Sequence, residues 1–141
     1  MKMKKFAAAA AASVMAAASA DVSAQTIDMV VEGRTYAVTL NESEAAANLV
    51  KRLPMKLVWE DFGRLERIAK LSQTLDVGSD PVVKSPVRGT FAYYVPWGNL
   101  CAFRVGGNAP SKDLVELGAM DEAALSALVK SGSSEVLLQA R

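Results

Sequence analysis

From Thr26 to Leu40 apolar and polar positions alternate with a period of two. Ile27, Met29 and Val31 fall on one face, Tyr36, Val38 and Leu40 on one face of the next run, and Gly33 lies between them. This pattern predicts a β-hairpin with one buried and one wet side. The period then lengthens. Ala45, Ala46, Leu49, Val50 and Leu53 form a helical stripe, with Asn41 placed to cap it, Glu44 three residues on, and Pro54 to stop it. Met55 to Phe62 predicts a strand that loses regularity at Glu60-Asp61, and Phe62-Gly63-Arg64 a turn. Leu65 to Leu71 fits either period and is read as an irregular strand. Thr74 to Gly89 holds Gly78, Pro81, Pro86 and Gly89, and predicts a loop.

The next stretch carries the most information. Phe91 to Val95 and Leu100 to Val105 are strand-like runs around a Pro96-Trp97-Gly98-Asn99 reversal. Pro sets φ and Gly permits positive φ, so a tight hairpin follows. A turn has no need of an indole, so Trp97 marks a surface that packs or binds. Leu114 to Met120 predicts a strand. Asp121 caps a helix with Ala124, Leu125, Leu128 and Val129 on one face, Gly132 ends it, and Glu135 to Gln139 is a last strand. The total is about eight short strands and two short helices, the pattern of a small barrel or sandwich rather than of repeated βαβ units.

The N-terminus differs from the rest. Lys2, Lys4 and Lys5 precede an Ala-rich apolar run from Phe6 to Ala18, and small residues follow. This predicts a secretory signal peptide over residues 1–24, cut after Ala20 or Ala24, and one domain over residues 25–141. The protein is therefore expected to be exported, to the periplasm of a double-membrane bacterium, with no membrane attachment once the signal is removed. Removing residues 1–24 takes away three Lys and one Asp, which moves the formal charge from +1 to −1. A nearly neutral chain has no electrostatic footprint for nucleic acid. Cys101 is the single cysteine, so no internal disulfide forms; within an apolar run it reads as a small buried hydrophobe. The chain has no His. That removes His-based acid–base chemistry, Ser-His-Asp triads and His-ligated metal, and no metal or other cofactor is expected.

Residues Asn41-Glu42-Ser43-Glu44-Ala45-Ala46, Leu53-Pro54, Trp59-Glu60-Asp61, Gly89, Tyr93-Tyr94-Val95-Pro96-Trp97-Gly98-Asn99-Leu100, Phe103 and Leu117-Gly118 occur in an order that resembles the bacterial cyclophilin-like domain family. The YYVPWGNL run is the specific part, and the resemblance spans about Ile27 to Leu138. It implies a closed β-barrel capped by helices. The Phe-His-Arg and Gln-Gly-Gly motifs of the cyclophilin enzymes are absent, so the resemblance supplies no catalytic residue. Thr90 and Arg104 stand where that family commonly has an acidic and an aromatic residue.

The ligand-site candidates are Trp97, Tyr93, Tyr94, Trp59, Arg67 and Arg104. Alternation sends Tyr93 and Tyr94 to opposite faces, so only one enters the barrel. Glu60 and Asp61 also face opposite ways, which makes a solvated loop the better reading than an acid–base pair. Arg67 and Arg104 lie in apolar runs; a guanidinium there can hold a carbonyl or an anion, and if buried it needs a partner. Three functions remain. The first is a module that binds a short peptide segment or small molecule beside the Pro96–Asn99 hairpin without bond chemistry. The second, if the chain is an enzyme, is a peptidyl-prolyl isomerase, which needs only an apolar pocket and a donor to the amide. The third is an envelope assembly subunit that forms a homo-oligomer through its exposed aromatics.

Overall fold

The computed structural model describes residues 24–83 and 85–141. The signal-peptide expectation concerns residues 1–24 and so lies outside the described residues but for Ala24. Among these residues nine strands and two helices follow in the order β1 (Thr26–Val31), β2 (Arg34–Leu40), α1 (Glu44–Val50), β3 (Met55–Val58), β4 (Glu60–Phe62), β5 (Glu66–Lys70), β6 (Thr90–Tyr94), β7 (Asn99–Phe103), β8 (Leu114–Met120), α2 (Glu122–Lys130) and β9 (Glu135–Ala140). All pairings are antiparallel, in the order β3-β9-β1-β2-β8-β6-β7-β5-β4.

The two ends of that order, β3 and β4, are consecutive in the chain and separated by Trp59 alone. One extended segment therefore pairs with β9 on its first half and with β5 on its second, and closes the sheet into a barrel. The expected single strand from Met55 to Phe62 is thus two, which gives nine strands among the described residues, in keeping with the expected about eight. The break falls at Trp59. Glu60 and Asp61 lie in β4 rather than in a loop, because they pair with Ile68 and Arg67.

The alternation predicted for the first hairpin is present: Ile27, Met29, Val31, Val38 and Leu40 are buried. Glu32 and Gly33 both have positive φ, which turns the chain in two residues. Inward side chains from β6 and β7, Phe91, Tyr93, Leu100 and Ala102, meet these in one core. The helices close it with Ala45, Ala46 and Leu49 from α1 and Ala124, Leu125 and Leu128 from α2. Asp121 caps α2 as its spacing implies, its carboxylate accepting from Ala124 N at 2.8 Å. In α1 the cap is Ser43 and not Asn41; Ser43 Oγ accepts from Ala46 N. Asn41 instead accepts from Ser43 N and donates to Glu116 O, tying the helix entry to β8.

Strand β8 breaks the period-two rule. Its pairing with β6 shifts between Phe91 and Ala92, so Phe91 opposes Gly118 while Ala92 opposes Glu116. This bulge leaves Leu117 and Gly118 buried in succession, and both Leu117 and Met120 reach the core.

Candidate functional site

A second apolar cluster lies on the outer face of β5, β6, β7 and β8. Alternation places it there: Phe91, Tyr93, Leu100 and Ala102 take the inside, so Ala92, Tyr94, Cys101 and Phe103 take the outside, with Ile68 and Leu114 beside them. The register sets Ile68 opposite Cys101 and Cys101 opposite Ala92, and sets Tyr94 opposite both Asn99 and Leu114. Two loops wall this patch. Asn108 Nδ2 donates to Val105 O at 2.9 Å and to Pro86 O at 3.4 Å, which joins the loop after β7 to the loop before β6. Between them is a cleft of about 380 Å³, within the ordinary range for small-ligand sites.

Trp97 stands at one side of the cleft. The sharp turn puts it at the tip of the β6–β7 hairpin, where Gly98 has φ +67° and Gly98 N donates to Tyr94 O. Its ring meets Phe62 at 5.4 Å and Tyr94 at 5.5 Å, both edge to face. Trp97 stays 51% exposed despite these contacts. Phe103 adds a fourth aromatic side chain to the lining.

Polar groups are few. Glu66, at the start of β5, is the one charged side chain lining the cleft among the described residues. Partial burial raises its carboxyl above the usual range, and a hydrogen bond from the Cys101 thiol works against that rise. The thiol itself is pushed far up by burial and then by the Glu66 charge, so Cys101 is a buried thiol and not a nucleophile. Asn99 is 3% exposed, and its Nδ2 donates to Leu100 O and Cys101 Sγ. Its Oδ1 is buried with no partner, and the residue lines the cleft. Asn99, Cys101 and Glu66 thus form a polar line across an apolar floor.

The six side chains named from the sequence are divided by the structure. Trp97 and Tyr94 line the cleft. Tyr93, on the opposite face of β6, is 1% exposed in the core, where its hydroxyl accepts from Leu75 N and anchors the long loop. Trp59 is equally buried, inside the closing seam. Arg67 is inside the barrel end and 3% exposed. Its partner is Asp61 Oδ1 at 3.0 Å, and it also donates to Trp59 O, Ser131 Oγ and Gly132 O. Arg104 reaches the same Asp61 oxygen at 3.4 Å. Neither guanidinium lines the cleft. Thr90 serves the loop, accepting from Val87 N through Oγ1.

Sequence reasoning missed Glu66, Asn99 and Phe62 as site residues. Glu66 and Asn99 begin strands and resemble ordinary strand-end polar residues. Only the register that sets Phe103 opposite Glu66 and Tyr94 opposite Asn99 brings them under the aromatics. A second concavity of about 480 Å³ lies between the end of α1, β3 and β5, with Arg52, Lys56 and Lys70 at its rim. It has no aromatic lining, and Arg52 is already committed to the carbonyls of Gln73 and Thr74. No three metal-ligating side chains converge among the described residues.

Comparison with known proteins agrees with this architecture. The solution structure of a hypothetical protein from Archaeoglobus fulgidus superposes with a TM-score of 0.55 at 19% identity, covering 84% of this chain and 96% of that one. At that identity the likeness speaks for the fold alone. No curated protein matches the sequence. A model of the cyclophilin-like family matches residues 29–139, from the first strand of the barrel to its last, and the chain belongs to that family.

Proposed function

We propose that this protein, acting as an exported domain, binds a small molecule or short peptide segment in the cleft beside the Pro96–Asn99 hairpin, without making or breaking bonds. The observation that carries this reading is the half-exposed Trp97 held edge-on by Phe62 and Tyr94 over an apolar cleft of about 380 Å³. A preformed concave apolar surface with few, placed polar groups is the usual form of a ligand site. Apolar rings held open to water gain free energy when a ligand covers them.

The isomerase reading is weaker. It needs a donor aimed at an amide in the apolar pocket, and both candidate guanidinium groups turn to Asp61 instead. Of the donors in the cleft, Asn108 Nδ2 and Asn99 Nδ2 are already engaged.

Chemical-shift mapping with a set of small aromatic molecules and short peptides tests the proposal. Shifts are expected to gather on Phe62, Tyr94, Trp97 and Phe103 and to vanish in Trp97→Ala. Shifts that gather elsewhere, or survive that substitution, would overturn it. The same peptides with an X-Pro bond should show no acceleration of cis/trans exchange, which takes tens of seconds or longer uncatalysed.

A further inference from the structure

We propose that the ligand of this cleft is a small organic cation, a protonated primary amine on an apolar body, with its ammonium paired to Glu66, an N–H group turned to the Asn99 side of the cleft, and its body against the aromatic rings. This rests on the cleft being the binding site. Three independent features point to the same chemistry.

The first is charge. Glu66 is the single charged side chain in the lining among the described residues, so the cleft offers a carboxylate with no cation of its own. Glu66 has no ion-pair partner among the described salt bridges; Arg67 and Arg104 are both spent on Asp61. A half-buried carboxylate without a counter-ion is disfavoured by desolvation. An arriving ammonium supplies the missing charge.

The second is hydrogen bonding. Asn99 Oδ1 is a buried acceptor with nothing to accept from, in a residue 3% exposed. A buried acceptor left unpaired costs free energy that a ligand donor recovers. Because Asn99 Nδ2 is engaged by Leu100 O and Cys101 Sγ, the free end of this amide only accepts. The complementary group must carry N–H or O–H. A carboxylate, phosphate or quaternary ammonium cannot satisfy it.

The third is the wall. Phe62, Tyr94, Trp97 and Phe103 bring four aromatic rings to one cleft. Aromatic faces attract cations, most strongly Trp, and more so when water is excluded. Rings alone accept any apolar ligand, a carboxylate alone accepts any cation, and an orphan acceptor alone takes any donor. The one class that meets all three is an apolar-bodied ammonium with N–H groups. The volume suits a free small molecule.

The test uses the full chain and three probes of nearly equal shape: phenethylammonium, neutral 2-phenylethanol and anionic 3-phenylpropionate, titrated calorimetrically and by chemical-shift mapping. The ammonium is expected to bind about tenfold tighter than the alcohol, and the carboxylate not at all. Glu66→Gln, which keeps the shape and removes the charge, should bring the ammonium down to the level of the alcohol measured on the same variant. Trp97→Ala, at an exposed turn tip, should abolish the binding of both. Equal affinity for alcohol and ammonium, or an ammonium affinity untouched by Glu66→Gln, would overturn the cation inference; if Trp97→Ala still abolished that binding, the cleft would stand as a site for neutral ligands. Binding of the carboxylate, or of no probe, would overturn the inference as well. A blocked lysine peptide that binds where free phenethylammonium does not would overturn the small-molecule source and assign the cleft to a peptide side chain.

Discussion

At the scale of single residues, environment decides what each side chain can do. Tyr93 and Tyr94 are neighbours of the same type, yet one is a core residue that holds a loop and the other lines the cleft. Cys101 reads as structural in sequence and is so in the fold, since burial keeps its thiol protonated. Glu66 carries the sharper consequence. Burial raises its pKa above the ordinary 4.5, so the fold favours the neutral acid. Its contribution to stability is fully present below the unfolded value and is lost as pH rises through the raised folded value. Glu66→Gln mimics the neutral form at every pH. It is expected to be more stable than the parent near pH 7, with the difference closing toward about pH 4. Denaturant midpoints of both proteins across that range check this, and a constant difference would contradict it.

At the scale of elements, local rules work where local interactions are enough. Asp121 and Gly132 bound α2 because a cap needs only residues three apart and a C-terminal stop only a positive φ. At α1 two cap-type residues compete, and Asn41 loses the cap to Ser43 because β8 claims its amide through Glu116 O. The bulge in β8 is beyond local rules altogether. There Gly118 faces the Thr39 carbonyl and the Leu40 backbone of β2 at less than the distance a Cβ tolerates. Gly118→Ala must therefore push β2 from β8 and is expected to cost about 3 kcal/mol. Gly33→Ala has φ +82° but open space around it, so strain alone should cost about 1 kcal/mol. Chemical denaturation of the two variants separates collision from strain; equal losses would remove the role given to Gly118.

At the scale of the whole molecule, the barrel depends on its seam. The chain passes from one end of the strand order to the other through Trp59, and Arg67 fastens that crossing from inside. Its guanidinium joins β4 through Asp61, the seam through Trp59 O, and the end of α2 through Ser131 and Gly132. A cation at a helix C-terminus also suits the helix dipole. Arg67→Met keeps the aliphatic stem but leaves the Trp59 and Gly132 carbonyls without this donor. The expected loss is about 3 kcal/mol, measurable by denaturation. A loss below about 1 kcal/mol, the scale of a surface ion pair, would show that the seam closes without it. The expectation that a buried arginine would need a partner is met here by four acceptors, and that is why this residue is unavailable to a ligand.

Much of this protein was legible before the structure. Strands with alternating faces, helices with a cap and a stop, and a hairpin with Pro and Gly at its turn are encoded by neighbours in the chain. The YYVPWGNL run pointed to the family and to Trp97. The cleft was legible only in part, because its chemistry joins residues far apart in sequence: Phe62 and Glu66 on one hairpin, Tyr94, Trp97 and Asn99 on another. Periodicity says that a side chain faces away from the core, and never what it meets there. Strand register put a carboxylate with no ion pair among the described residues, and an orphan acceptor, beside aromatic rings, and register is a property of the closed barrel. Barrel closure likewise took Trp59, Tyr93 and Arg67 into the interior, since only the packed sheet distinguishes a binding aromatic or cation from a buried one.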